Sequence, residues 1–335
     1  MLNETSVFRS IVLLTAVLAC FGAAGAQQWR DEAAHRTLWV TVDEAVSLEV
    51  LDWGGTGRPL VLLAGLGHTA HVFDALAPNL TGFFHVYAIT RRGFGSSTHT
   101  SSGYTDTRLA VDVMAVVDSL QLTGTVLAGH SFAGQELTAI GIRRPASIAG
   151  LVYLDAAADD LHGLQNEPKL QAIMRQLPQP RPTESDRNSF SALQAWWTRT
   201  YGIRPPEAEL RNMYRATSNG GIGKERVAEG AWKAAMTGVS KPDYDGIRVP
   251  ILAIYAVPRS ARDLPPWLRT DDELRGRAID EAYLYGVAAR ERASKAFRRA
   301  PHSRIVNLYG ADHYLFLSHA NAIVSELRAF DSILR

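Results

Sequence analysis

The 335-residue chain holds a single cysteine, Cys20, so it can build neither an intrachain disulfide framework nor a cysteine-rich metal site. It has almost no net charge: 35 Lys and Arg against 34 Asp and Glu leave +1. Proteins that bind nucleic acid by neutralising phosphates carry a marked basic excess, so no nucleic-acid partner is expected. Heptads, internal repeats and low-complexity tracts are missing, and the 27 glycines and 15 prolines are scattered. That excludes coiled-coil, collagen-like and disordered chains. What remains, 46% hydrophobic and 21% charged residues, is enough to bury a large core.

The first 26 residues read apart from the rest. Arg9 precedes the apolar run Ile11–Ala19, and small residues then lead to Ala24-Gly25-Ala26 and the polar Gln27-Gln28. A short apolar segment with a positive flank and an Ala-x-Ala end is the pattern of a cleaved secretory signal. The run falls short of the roughly 20 residues that span a bilayer. Residues 27–335 are therefore expected to form an exported domain, periplasmic or secreted, with no membrane span. Retention as an N-terminal anchor is one alternative. Lipidation at Cys20 is another, since Val17-Leu18-Ala19-Cys20 loosely resembles a bacterial lipobox, although Leu18 fits it poorly. Cleavage would leave no cysteine, and the exported chain would rely on its core alone.

From residue 36 to 53 apolar and polar positions alternate (Leu38, Val40, Val42, then Val46, Leu48, Val50), which predicts an antiparallel pair of strands with a turn near Asp43 and Glu44. Short continuous apolar runs follow at residues 60–64, 85–89, 125–128, 151–154, 251–257 and 304–308, as expected of strands buried on both faces of a parallel sheet. Helical spacing lies between them. Thr105 is placed to cap a helix through Leu109, Val113, Val116, Val117 and Leu120, a second helix follows Ser131, and a last one runs from about Ala320 to Leu334. The alternation predicts an α/β fold, a mostly parallel sheet flanked by helices. Residues 156–248 interrupt it. They hold helix-like patches, Trp196, Trp197, Tyr201, Tyr214 and Trp232, and no buried-type strand, and read as a helical cap inserted after strand 6.

The chemistry concentrates at Gly129-His130-Ser131-Phe132-Ala133, between a buried strand and a helix. This is a G-x-S-x-G nucleophile elbow with alanine in the last small position. Larger flanks would strike the strand and helix that the tight turn joins. The turn lifts the serine oxygen above the sheet and aims the Phe132 N–H at a developing oxyanion. Residues 60–68, Leu-Val-Leu-Leu-Ala-Gly-Leu-Gly-His, form a strand and a glycine loop ahead of an apolar helix carrying Val72, Phe73, Leu76, Ala77 and Pro78. The Leu66 N–H is the expected second oxyanion donor, with Gly65 and Gly67 allowing close approach to substrate. His68 and His71 suggest a metal, but the sequence offers no third ligand, and they read as solvated or substrate-lining histidines.

Together with Thr90-Arg-Arg-Gly-Phe-Gly-Ser-Ser97, these motifs resemble the α/β-hydrolase superfamily, in particular capped serine hydrolases of the esterase or lactonase type. Arg92, Gly93, Gly95 and Ser97 fall on the superfamily's D-x-R-G-x-G-x-S turn, while Thr90 replaces its acid and Ala64-Gly65 replaces the usual His-Gly. The resemblance covers residues 36–335. It implies a base after the last strand, where residues 305–313 end in His313. For the acid that orients His313 it leaves two positions. Asp155 ends the sixth strand, and Asp263 lies four residues beyond the usual seventh-strand site, which Arg259 occupies. Asp155 is the first choice. Asp312 and Glu136 rank lower, and His130, His302 and His319 read as structural.

The expected activity is hydrolysis of a small, apolar ester or lactone through an acyl-enzyme on Ser131, with no metal or organic cofactor. Serine at the elbow argues against the haloalkane dehalogenase and epoxide hydrolase branches, which use an aspartate there. The rival expectation is a ligand-binding protein that kept the fold and lost the chemistry.

Overall fold

The computed structural model describes residues 29–157, 168–177, 179–260 and 262–334. The proposed signal segment and Cys20 lie outside the described residues, as does part of the proposed cap. The chain divides into two compact units, residues 1–32 and 33–335, and the fold below is that of the second.

An eight-stranded sheet runs in the order β1-β2-β4-β3-β5-β6-β9-β10. The first two strands, β1 (Arg36–Asp43) and β2 (Val46–Gly55), pair antiparallel across the turn at Glu44 and Ala45. β2 also pairs antiparallel with β4 (Phe84–Ile89). From β4 onward every pairing is parallel: β3 (Arg58–Leu63), β5 (Thr125–His130), β6 (Ile148–Leu154), β9 (Ile251–Val257) and β10 (Arg304–Tyr309). The central strands are buried on both faces, which is why their sequences run apolar without alternation. β10 departs from the expectation. It is the sheet's edge, and its residues are half-buried or exposed.

Two apolar layers enclose the sheet. Phe73, Phe84, Phe316 and Phe330 fill one, and Leu137, Ile140, Tyr153 and Phe297 the other. α1 (Asp106–Ser119) starts where its sequence says it should, with the Thr105 hydroxyl accepting the Arg108 N–H at 3.2 Å. α2 (Ala133–Arg143) follows the elbow directly. The helix expected after the glycine loop forms instead as two short 3-10 turns, Ala70–Phe73 and Ala77–Leu80, the second begun by Pro78 near its N-terminus.

Between β6 and β9 lie α3 (Pro168–Arg175), α4 (Phe190–Tyr201), α5 (Glu207–Met213) and α6 (Ala231–Thr237), with an antiparallel pair β7 (Tyr214–Ala216) and β8 (Ile222–Glu225). Among its described residues the insertion is thus helical with one small hairpin, which the sequence pattern did not announce. It is bonded to the turn after β4: Gly95 N–H donates to Arg226 O at 2.8 Å and Ala228 N–H to Gly93 O at 2.7 Å. A 25-residue helix, α7 (Glu273–Phe297), packs Ala278 and Ile279 against Ile173 and Leu177 at α3. The chain closes with α8 (Leu315–Ser318) and α9 (Ala320–Ile333).

Candidate active site

Ser131 stands at the end of β5 with φ +54°, a left-handed conformation that a serine adopts only when the surroundings impose it. The surroundings are tight. A Cβ on Gly129 would meet Ala133 Cβ at 2.9 Å, and one on Gly65 would meet the His130 ring at 2.9 Å and Ser131 Cβ at 3.3 Å. Gly65 therefore makes room for the elbow itself. Gly67, at φ +84°, makes room for Trp232 of α6, whose ring a Cβ would overlap. The close approaches expected toward substrate are thus filled by protein.

His313 follows β10, and its Nδ1 lies 2.7 Å from Asp155 Oδ2. Asp155 leaves β6 at φ +44°, is buried, and uses its other oxygen to accept the Ala256 N–H at 3.0 Å. That bond fixes the carboxylate against β9, while the exposed His313 ring stays accessible. Asp263 sits elsewhere. Its Oδ2 accepts the N–H groups of Arg259 and Ser260 at 2.6 and 3.2 Å, closing a surface turn. Asp312 accepts the Tyr314 N–H at 2.8 Å, and His319 contacts its neighbour Ser318.

A buried ion pair and a buried histidine–glutamate hydrogen bond hold the glycine loop. Arg91 donates to Glu136 Oε1 and Oε2 at 2.5 and 3.0 Å and to the carbonyls of Ala64 and Gly65 at 2.8 and 3.3 Å. One guanidinium thereby joins the loop that carries Leu66 to the helix that follows Ser131, with Phe132 under it at 5.2 Å. At the other end of the loop, Glu209 of α5 takes the His68 Nδ1–H at 2.8 Å and the Thr69 N–H at 3.1 Å, and also accepts from the Thr69 hydroxyl. His68 Nε2 then accepts from Tyr314, 3.0 Å away. Burial pushes the Tyr314 phenol far up, so it keeps its proton to donate. Sequence reasoning missed Arg91, Glu209 and Tyr314, and ranked Glu136 low as the orienting acid; it is the buried partner of Arg91.

A cavity of about 670 Å³ opens beside this loop, walled by Leu66, His68, Trp196, Trp197, Trp232 and Tyr314. Arg187 and Glu225 add charge at its wall. His71 does not line it and is buried beside Glu49 and Asp74. The departure at Thr90 also finds its reason here: the Thr90 hydroxyl donates to buried Glu49 at 2.7 Å, so a carboxylate from β2 stands behind the threonine.

His130 locks the loop of His313 to the elbow, its Nε2 lying 2.8 Å from the His313 carbonyl. Facing an acceptor, that nitrogen carries the proton. Burial, and then the charge of His313, push the His130 imidazole well below the usual histidine range. Unfolded, it would take a proton near pH ~6.5. The unfolded chain thus binds more protons on acidification, so this contribution to stability is complete above about pH 6.5 and is lost as pH falls below it, by at most about 1.4 kcal/mol per unit. Urea denaturation of the parent and of His130→Gln between about pH 7.5 and about pH 5 is expected to show the steeper loss in the parent. Equal slopes would remove His130 from the acid response.

The model of the Alpha/beta hydrolase family matches residues 60–327. The Bifunctional esterase/perhydrolase DCH of Acinetobacter calcoaceticus is 28% identical over 211 residues, 62% of this chain and 72% of that one. The AB hydrolase superfamily protein YisY of Bacillus subtilis is 35% identical over 127 residues, 36% of this chain. The chain spans less than half the length of some relatives it matches, 45% of YisY and 39% of a Mycobacterium phage D29 protein. Among solved structures, E-2-(Acetamidomethylene)succinate Hydrolase shares the fold with a TM-score of 0.65 at 19% identity, covering 89% of this chain and 99% of that one.

Proposed function

The chain belongs to the alpha/beta hydrolase family, and from that premise we propose an exported serine hydrolase that cleaves a small, apolar ester or lactone through an acyl-enzyme. Ser131 is the nucleophile, His313 the base and Asp155 the group that orients it. Ser131 Oγ bonds to the acyl carbon as its proton passes to His313 Nε2, and the carbonyl oxygen gathers negative charge between the N–H groups of Leu66 and Phe132. His313 returns the proton to the leaving alkoxide. Water, deprotonated by the same ring, then splits the acyl-enzyme and restores the serine.

The observation that carries this reading is the 2.7 Å His313–Asp155 contact, together with the φ of +54° at the serine of the elbow. Strain of this kind gathers at functional sites, and a buried carboxylate on a histidine orients it as a base. The aromatic walls of the cavity favour an apolar acyl or alcohol group. Export rests on the N-terminal pattern of Arg9, residues 11–19 and Ala24-Gly25-Ala26.

The test is intact mass after treatment with a fluorophosphonate, which reports an activated serine whatever the natural substrate. One adduct is expected on the parent and none on Ser131→Ala. No adduct on folded parent, with saturable binding of an apolar ester and no acid released, would replace the hydrolase reading by the binding one.

A further inference from the structure

Two imidazoles and a carboxylate converge away from the residues that line the cavity. His35 immediately precedes β1, and His71 and Asp74 stand three residues apart on the first 3-10 turn after the glycine loop. The Asp74 N–H closes that turn onto the His71 carbonyl at 3.2 Å, which puts both side chains on one side. His35 Nε2 is 3.5 Å from Asp74 Oδ1, and His71 Nδ1 is 3.5 Å from Asp74 Oδ2. One ligand atom from each of the three lies within 4.8 Å of the others. The three side chains are only 5–8% exposed. The rings meet edge to face, 5.2 Å between centroids, and Trp53 braces His35 on another side at 5.2 Å.

The spacing leaves room for a metal ion between the three side chains. Direct N–H···O bonds run about 2.7–3.2 Å, shorter than either separation. A metal ion bound tetrahedrally at about 2.0–2.2 Å sets its ligand atoms about 3.3–3.6 Å apart. Octahedral ligands at about 2.1 Å would stand closer, near 3.0 Å. Two imidazole nitrogens and a carboxylate that turns one oxygen toward each suit zinc and not the all-oxygen tastes of calcium or magnesium. The remaining nitrogen of His71, Nε2, faces Glu49 Oε1 at 3.6 Å, so a carboxylate stands behind the ring as it does behind metal-bound histidines.

We propose that His35, His71 and Asp74 form a zinc site that clips the start of β1 to the turn following the glycine loop. The sequence offered His71 without a third ligand. The fold supplies Asp74 three residues on and His35 from 36 positions upstream. The three leave a fourth position for water, none of them is among the groups assigned to catalysis, and the site stands whether or not the hydrolase reading does. Binding to the folded chain alone raises its stability with zinc concentration.

The experiment uses the full exported chain without a polyhistidine tag, stripped with chelator and titrated with zinc chloride by calorimetry and thermal melting. One zinc per chain is expected, and a Tm raised by roughly 5 °C at a hundredfold excess over Kd. His35→Gln and Asp74→Asn, with circular dichroism matching the parent, are expected to weaken zinc binding by more than about a hundredfold, and Glu49→Gln by about ten- to a hundredfold. Fluorophosphonate labelling of His35→Gln is expected to equal the parent's. No saturable uptake by the parent, or a Tm indifferent to chelator and to zinc, would overturn the site. So would uptake that His35→Gln and Asp74→Asn leave intact. Should either variant fail to fold, the parent's own response to chelator decides.

Discussion

Asp155→Asn is expected to lower kcat on an activated ester about ten-thousandfold while leaving the fold intact. The reason lies in the two bonds the carboxylate makes. Oδ1 accepts the Ala256 N–H at 3.0 Å, and Oδ2 faces His313 Nδ1 at 2.7 Å. An amide in its place must keep its carbonyl oxygen on Ala256, because its NH2 group would there meet another donor. The NH2 then turns to His313, whose Nδ1 is forced to accept. The ring proton moves to Nε2, the nitrogen that should receive the proton of Ser131, and the base is blocked without losing its place. Steady-state hydrolysis of a p-nitrophenyl ester by the parent, Asp155→Asn and Asp263→Asn checks this. Asp263 only closes its own surface turn, so its variant is expected to keep the parent rate. Near-parent turnover by Asp155→Asn would give the orienting role to another group.

The difference between those two aspartates marks what a sequence can carry. Both follow strand-like runs, and spacing ranks them only by custom. What separates them is the distance to a histidine 158 positions from Asp155, which only the fold supplies. The elbow was legible because its constraints are local: Gly129 and Ala133 must be small since they touch each other within one turn. The paired strands and buried runs were legible for the same reason, their periods being written in consecutive residues. α7 was not. Among its buried positions, Ala278, Ala289 and Ala293 are alanines, too small to raise an apolar stripe above its many charges. Glu209 reads as one more acidic residue of a cap helix until the fold sets it on His68, 141 positions away. Arg91 hides beside Arg92. The family pattern singles out the second, which pairs with Asp112, and says nothing of the first.

Arg91 is nonetheless a residue whose loss should cost much in stability. Arg91→Ala leaves the Glu136 carboxylate fully buried without its cation and releases the carbonyls of Ala64 and Gly65. Burial already pushes the Glu136 carboxyl up against the pull of Arg91, and removing the guanidinium leaves only the push. Breaking a buried pair from one side costs about 3–5 kcal/mol, a large part of the roughly 5–15 kcal/mol by which a domain is stable. Replacing both partners by apolar groups, Arg91→Met with Glu136→Leu, removes the stranded charge and is expected to recover most of that loss. Activity should not follow. The pair also fixes the loop that presents the Leu66 N–H, and a displaced oxyanion donor costs about 100- to 1000-fold in kcat. Urea denaturation and ester kinetics on the two proteins separate the effects: the single variant is expected to lose stability and rate, the double variant rate alone. If the double variant recovered both, Arg91 and Glu136 would be an ordinary core ion pair, and the glycine loop would owe its position to Glu209 and the cap.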